Sequence, residues 1–199
     1  MSEPRPQIPP AAVELYTQFI HGEIDRRSFF DGVKRFAIGG LTAPVIIDAL
    51  MPNYAAAQQV SKTDERIKAE YVTIPSPQGN GTIKAYLVRP FSADTRTETP
   101  TKLPGVLVIH ENRGLNPHIE DITRRLAVDG FIAYAPDALA VSGGYPGDED
   151  KAREAFAKLD QTKARADFVA AARALLALPD GNGKLGVVGF CYGGGMSNY

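Results

Sequence analysis

From residue 67 onward the chain alternates short apolar runs with longer amphipathic stretches, the pattern of an α/β domain. Residues 70–75 and 82–89 read as two strands joined by the turn-rich Pro75-Ser76-Pro77-Gln78-Gly79-Asn80-Gly81. Alternation in the second strand is imperfect, with Ile83, Ala85 and Leu87 set against Lys84, Tyr86 and Val88. Residues 92–102, rich in Thr and acidic groups, read as a solvated loop. Residues 105–110 form a continuous apolar run, as expected of a parallel strand covered on both faces. Asn116 as N-cap and Pro117 at the first helical position open a helix that runs to Val128. Its apolar stripe is Ile119, Ile122 and Leu126, and Gly130 ends it. Residues 131–135 are a second buried strand, stopped by Pro136. A loop with Gly143, Gly144, Pro146 and Gly147 leads to helices at 148–159 and 162–178. The second of these presents Phe168, Ala172, Leu175 and Leu176 on one face, and residues 184–190 form the last strand. This order predicts an α/β fold: a mostly parallel sheet built from right-handed crossovers, with helices on both faces.

The first sixty residues have a different texture. Asp25-Arg26-Arg27-Ser28-Phe29-Phe30 has the form of a twin-arginine export motif. An uncharged stretch over residues 36–47 has the length of a signal h-region, and Ala55 and Ala57 offer a small-x-small cleavage site before Gln58. That stretch is too short, and too interrupted by Gly39, Gly40 and Pro44, to span a membrane. The competing reading is an amphipathic helical extension, which Asp31 and Asp48 favour. Export places the protein in the periplasm or beyond; the helical reading leaves it cytoplasmic. The expected organisation is therefore an N-terminal segment, residues 1–60, and an α/β domain, residues 61–199.

Composition narrows the chemistry. The 199 residues are 44% hydrophobic, enough for one substantial core plus a small appendage. A net charge of −1 gives no reason to expect a nucleic-acid partner or a strongly charged substrate. The single cysteine, Cys191, excludes an intrachain disulfide framework. His21, His110 and His118 lack zinc-site spacing, so neither a metal nor a cofactor is expected.

Two segments end apolar strands at one edge of the predicted sheet, where ligands bind in open α/β folds. One is Gly189-Phe190-Cys191-Tyr192-Gly193-Gly194-Gly195, which follows Leu185-Gly186-Val187-Val188. This is the cysteine form of a nucleophile elbow, with glycines where a Cβ would clash with the incoming helix. The turn lifts the thiol beside a helix N-terminus, a setting that favours the thiolate. An inert, packed cysteine is the alternative. The other segment is His110-Glu111-Asn112-Arg113-Gly114. On a strand, His110 and Glu111 point to opposite faces, so only one aims readily at Cys191. His110 reads as a satisfied histidine near the site and His118 as a solvated one.

Glu111 after a buried strand, the Asn116-Pro117 helix start, the Pro136-Asp137 strand end and Gly-Phe-Cys-Tyr-Gly-Gly together resemble the dienelactone hydrolase family. These are α/β-hydrolases with a cysteine nucleophile, and the resemblance covers roughly residues 65–199. It implies that Cys191 attacks a small-molecule ester or lactone carbonyl to form an acyl-thioester. It also implies that Glu111 holds the resting thiol. The backbone N–H groups of Tyr192 and Asn112 would form the oxyanion hole, each supplying about 3–4 kcal/mol. Arg113 and Tyr145 are candidates for lining the substrate pocket.

Two departures from the family pattern stand out. Family members acting on dienelactone carboxylates have an arginine near Val141, whose absence here points away from an anionic dienelactone, with Arg113 the one residue placed to compensate. The family's Asp and His follow the nucleophile, and no residue after Cys191 is either. The chain is therefore expected to be a truncated member that ends just after its elbow, with an apolar last strand left at an edge. Besides the ester hydrolase, two other functions fit: a fragment that works only with a complementing C-terminal half, and, ranked lower for want of a resolving cysteine, a thiol redox sensor.

Overall fold

The computed structural model describes residues 7–37, 41–50, 58–91 and 102–199. Residues 38–40 of the h-region-like stretch, the Ala55/Ala57 cleavage site and loop residues 92–101 lie outside the described residues. The chain divides into two compact units, Met1–Ala56 and Ala57–Tyr199.

In the first unit, α1 (Pro10–His21), α2 (Arg26–Val33) and α3 (Ala43–Leu50) surround a core of Ala12, Phe19, Phe29, Val33 and Ile46. The twin-arginine-like segment forms the start of α2. Asp25 caps it by accepting the Ser28 N–H at 2.7 Å, and Phe29 stacks on Phe19 with ring centroids 4.9 Å apart. Among the described residues, no helix is long and apolar enough to cross a membrane.

The second unit is a five-stranded sheet in the order β1-β2-β4-β3-β5. Its strands are β1 (Ile67–Ser76), β2 (Gly81–Pro90), β3 (Leu103–Ile109), β4 (Ile132–Asp137) and β5 (Gly181–Gly189). β1, β2 and β4 pair antiparallel, whereas β3 is parallel to both of its neighbours, β4 and β5. The imperfect alternation in β2 now has a cause. It lies between β1 and β4 with a core on each face, so Ala85 and Leu87 join one core while Tyr86 and Val88 join the other.

The crossover helices are α4 (Pro117–Val128), α5 (Glu149–Ala157) and α6 (Gln161–Leu176). Ile119 and Ala127 of α4 pack on one face of the sheet; Phe168, Ala171 and Leu175 of α6 pack on the other. The connections leaving β3 and entering β5 thus run on opposite faces, the arrangement that places ligand sites at the carboxyl ends of such strands in open α/β sheets.

Three local expectations need correction. β4 continues through Pro136 to Asp137, because its pairing with β3 ends at Tyr134 and the missing Pro136 N–H breaks no bond on that side. Leu176 is exposed; α6 buries Ala164, Asp167 and Ala171 alongside Phe168 and Leu175. The buried side of α4 is also more polar than its stripe predicts. Arg124 is fully buried there, donating to the Val60 carbonyl at 2.8 Å and the Tyr86 hydroxyl at 3.3 Å beside Asp121.

Buried Asp167 of α6 clamps the β1–β2 turn, accepting from the Asn80 N–H at 3.0 Å and the Asn80 Nδ2 at 2.5 Å. Asp167→Ala strands those donors and is expected to cost about 1–3 kcal/mol. Urea unfolding should show this as a lower midpoint with an unchanged slope.

Candidate active site

The Gly-x-Cys-x-Gly segment forms a sharp strand-to-helix turn between β5 and α7 (Tyr192–Ser197). Cys191 has φ 52° and ψ −108°, and is the one positive-φ residue other than glycine among the described residues. Such a conformation costs about 1–3 kcal/mol and persists only where its surroundings enforce it. Here the enforcement is backbone contact. A Cβ on Gly189 would lie 2.0 Å from the Gly193 carbonyl oxygen, and one on Gly193 would lie 2.2 Å from that of Ile109. β5 meets β3 with Ile109 opposite Gly189, and the Phe190 N–H donates to the Ile109 carbonyl at 3.2 Å. The result is an exposed cysteine at the carboxyl end of β5, just before the first turn of α7.

The segment after β3 is held from several sides. His110, fully buried, contacts the Glu111 carbonyl through Nδ1 at 2.5 Å and accepts the Ala138 N–H on Nε2 at 3.1 Å. Since the Ala138 N–H can only donate, Nε2 accepts and Nδ1 carries the proton: a neutral imidazole in a defined tautomer. Burial depresses its proton affinity. The ring lies edge-on to Phe156 and Phe168. His110 is thus a satisfied histidine that ties the end of β3 to the end of β4.

Asp137 completes that tie. Its Oδ1 accepts the Leu115 N–H at 3.3 Å and the Leu139 N–H at 3.0 Å. Burial pushes its proton affinity up, against the opposing pull of these two N–H groups and Lys84. In the sequence, Pro136-Asp137 stands out only as a strand end. The signal for its role was an Asp directly before a helical turn, here Ala138–Ser142.

Glu111 is half-buried and accepts from Asn116 Nδ2 at 3.4 Å; Asn116 Oδ1 in turn caps α4 through the Ile119 N–H. Arg113 Nη1 donates to Asn112 Oδ1, and its Nε lies 3.3 Å from Glu149 Oε2. The Tyr145 hydroxyl donates to Glu149 Oε1 at 2.7 Å. Arg113 and Tyr145 are therefore joined by Glu149, a residue the sequence marked only as part of a helix start. Tyr192 packs its ring edge-on against Phe156 of α5, with centroids 4.7 Å apart. His118 is not simply solvated: its ring lies edge-on to Phe190, 6.3 Å between centroids.

A cavity of about 420 Å³ opens toward β1 and β2, lined by Tyr145, Asp137, Leu115, Tyr71, Lys62 and Lys84 among others. Tyr145 is the one sequence-selected site residue on its wall; Cys191, Glu111, Asn112 and Arg113 do not line it. Among the described residues, no group of three His, Cys, Asp or Glu side chains is placed to hold a metal.

Sheet order, crossover helices and a strained cysteine elbow at the sheet's carboxyl edge define an α/β-hydrolase fold. The sequence profile of the dienelactone hydrolase family matches residues 83–199, and the chain belongs to that family. It is 52% identical over 122 residues to the "Putative hydrolase fragment YghX" of Escherichia coli K12, covering 61% of this chain and 99% of that protein. A "Putative carboxymethylenebutenolidase" of Synechocystis is 33% identical over 135 residues, covering 64% of this chain and 51% of its own length. The crystal structure of a "Putative Dienelactone Hydrolase" from Klebsiella pneumoniae superposes with a TM-score of 0.52 at 32% identity, covering 64% of this chain and 51% of that one. Relative to these last two proteins, the chain spans about half the length.

The elbow contacts predict a graded glycine series. Gly189→Ala and Gly193→Ala press a methyl group into backbone that cannot give way, and each should cost about 3 kcal/mol or more. Gly195→Ala meets nothing within 4 Å and should stay within about 1 kcal/mol of the parent chain. Thermal or urea unfolding of the three variants tests the ranking.

His110 predicts a pH dependence. Its folded-state proton affinity is depressed below the ordinary 6.5, so the unfolded chain binds the proton more readily. The stability contributed by neutral His110 is therefore present above the ordinary value and lost as pH falls through it. Asp137 is shifted upward and acts in the opposite sense, losing stability as pH rises from its ordinary 3.8. The stability difference between the parent chain and His110→Gln should narrow between about pH 7.5 and about pH 5.5, read from urea midpoints.

Proposed function

We propose that this chain carries the nucleophile half of a dienelactone hydrolase-like enzyme acting on carboxylic esters or lactones. The Cys191 thiolate attacks the carbonyl carbon, the oxyanion collapses, and the alcohol or enol leaves as Cys191 becomes an acyl-thioester. Water then releases the carboxylic acid and restores the thiol. The observation that carries this reading is the strained backbone of Cys191, enforced by Gly189 and Gly193 at the sheet's carboxyl edge.

Each remaining residue has a role on this reading. Tyr192, first in α7, has an N–H with no intrahelical carbonyl to serve, and it stabilises the oxyanion together with the Asn112 N–H. Glu111 takes the S–H proton in the resting site. Arg113 and Tyr145, joined through Glu149, shape the acyl side of the substrate site. The substrate is a small molecule, and the chemistry calls for no cofactor.

A second reading is favoured by β5. It sits at the sheet edge, and Val187 is 43% exposed there although its sequence is that of a buried parallel strand. A separate stretch of polypeptide completing the sheet would cover this edge and supply an Asp–His pair as proton shuttle. Sulfenate formation at the exposed Cys191, the redox reading, has support only from exposure and ranks last. For localisation, the exposed Arg26 and Arg27 support export recognition, while buried Phe29 supports a helical extension.

Turnover of p-nitrophenyl acetate by the purified chain tests the first reading. Cys191→Ala should reduce the rate by roughly a hundredfold or more and abolish the acetylated protein seen by intact mass. Equal rates in the two proteins would overturn it. A rate that rises only when the C-terminal half of a relative is added would establish the second reading.

A further inference from the structure

Arg113 is the cation of the segment that follows β3, and it is not open to a ligand. Its side chain is only 13% exposed, and two of its nitrogens are engaged. Nε faces Glu149 Oε2 at 3.3 Å, and Nη1 donates to Asn112 Oδ1. Glu149 is itself held, since its other oxygen accepts the Tyr145 hydroxyl at 2.7 Å and it occupies the first position of α5, where a negative charge is favoured. Glu111 and Asp148 both lie close enough for their charges to act on Glu149, so negative charge already surrounds this guanidinium.

An incoming carboxylate would meet like charge here and would have to displace a preorganised partner from Arg113. An uncharged acyl group would meet neither obstacle. We infer that Glu149 is the specificity-determining residue of this site: by masking Arg113, it sets a preference for uncharged esters or lactones over anionic ones. The inference rests on the ester-hydrolase reading and assigns that site its substrate charge. α5 is suited to the task, because it touches both sides of the site, holding Arg113 through Glu149 at one end and packing Phe156 on Tyr192 at the other.

Glu149→Gln separates charge from shape. The amide oxygen still accepts from Tyr145, while the charge facing Arg113 is removed. With p-nitrophenyl acetate as the neutral substrate and p-nitrophenyl hemisuccinate as the anionic one, the ratio of kcat/KM (anionic over neutral) should rise roughly tenfold in Glu149→Gln, through a lower KM for the anion. The double variant Glu149→Gln/Arg113→Gln should lose that gain.

A calorimetric titration with glutarate, and with glutaramide as the uncharged control, reads the same charge preference without turnover. Glutarate should bind Glu149→Gln at least roughly fivefold more tightly than the parent chain, and the double variant should not show this. An unchanged substrate ratio, or glutarate binding that ignores both substitutions, would overturn the inference. If neither ester is turned over in a Cys191-dependent way, the hydrolase reading fails, and the titration alone decides whether Glu149 masks Arg113.

Discussion

The site depends on one backbone contact: the first turn of α7 pressed against the end of β3. Gly193 lies so close to the Ile109 carbonyl that a single methyl group would collide with it, and Gly189 lies as close to Gly193. Side chains would have kept these segments apart. Without them the chain turns within a few residues, and Cys191 is left in a conformation it would not choose alone. Strain at one residue is thus balanced by close packing at two others. The same contact brings Cys191 and the Glu111–Asn112 segment to the same edge of the sheet, because Gly193 rests on the residues immediately before that segment.

Around this contact the ends of β3 and β4 are fastened by two buried acceptors working as a pair. His110 offers an acceptor to the Ala138 N–H, while Asp137 accepts from Leu115 and Leu139. Neither residue needs to touch a substrate to matter. Burial pushes His110 toward its neutral form and raises the proton affinity of Asp137, so both shifts favour neutrality in a place where charge is poorly solvated. Their polar atoms satisfy backbone groups that would otherwise be orphaned at these strand ends. α5 adds a second layer, meeting Arg113 at its start and Tyr192 at Phe156.

Features of the fold that depend on neighbours in sequence were legible in it. The Asn116-Pro117 start of α4 was, because a cap and a proline act within one turn. The elbow was legible for the same reason, as its glycines and its cysteine are adjacent. What stayed hidden was pairing across long separations. Nothing near Arg124 in sequence announces that Val60 and Tyr86 will receive it in the core. Nothing near Arg113 points to Glu149, whose position within Asp148-Glu149-Asp150 reads as ordinary helix-start chemistry. β4 outlasted Pro136 because a proline's cost depends on which neighbouring strand needs its N–H, and that is a property of the sheet. The family resemblance pointed to the elbow and to the segment after β3. It did not reach the partners that set their electrostatics.

The division of labour in the unit bears on how its chemistry could be completed. The close backbone contacts that shape the elbow come from β3, β5 and α7, and the exposed flank of β5 contributes none of them. The placement of the thiol therefore does not depend on what lies beyond that flank. On the complementation reading, a stretch of polypeptide pairing there would bury the apolar edge and bring a proton shuttle toward a cysteine whose backbone is already placed.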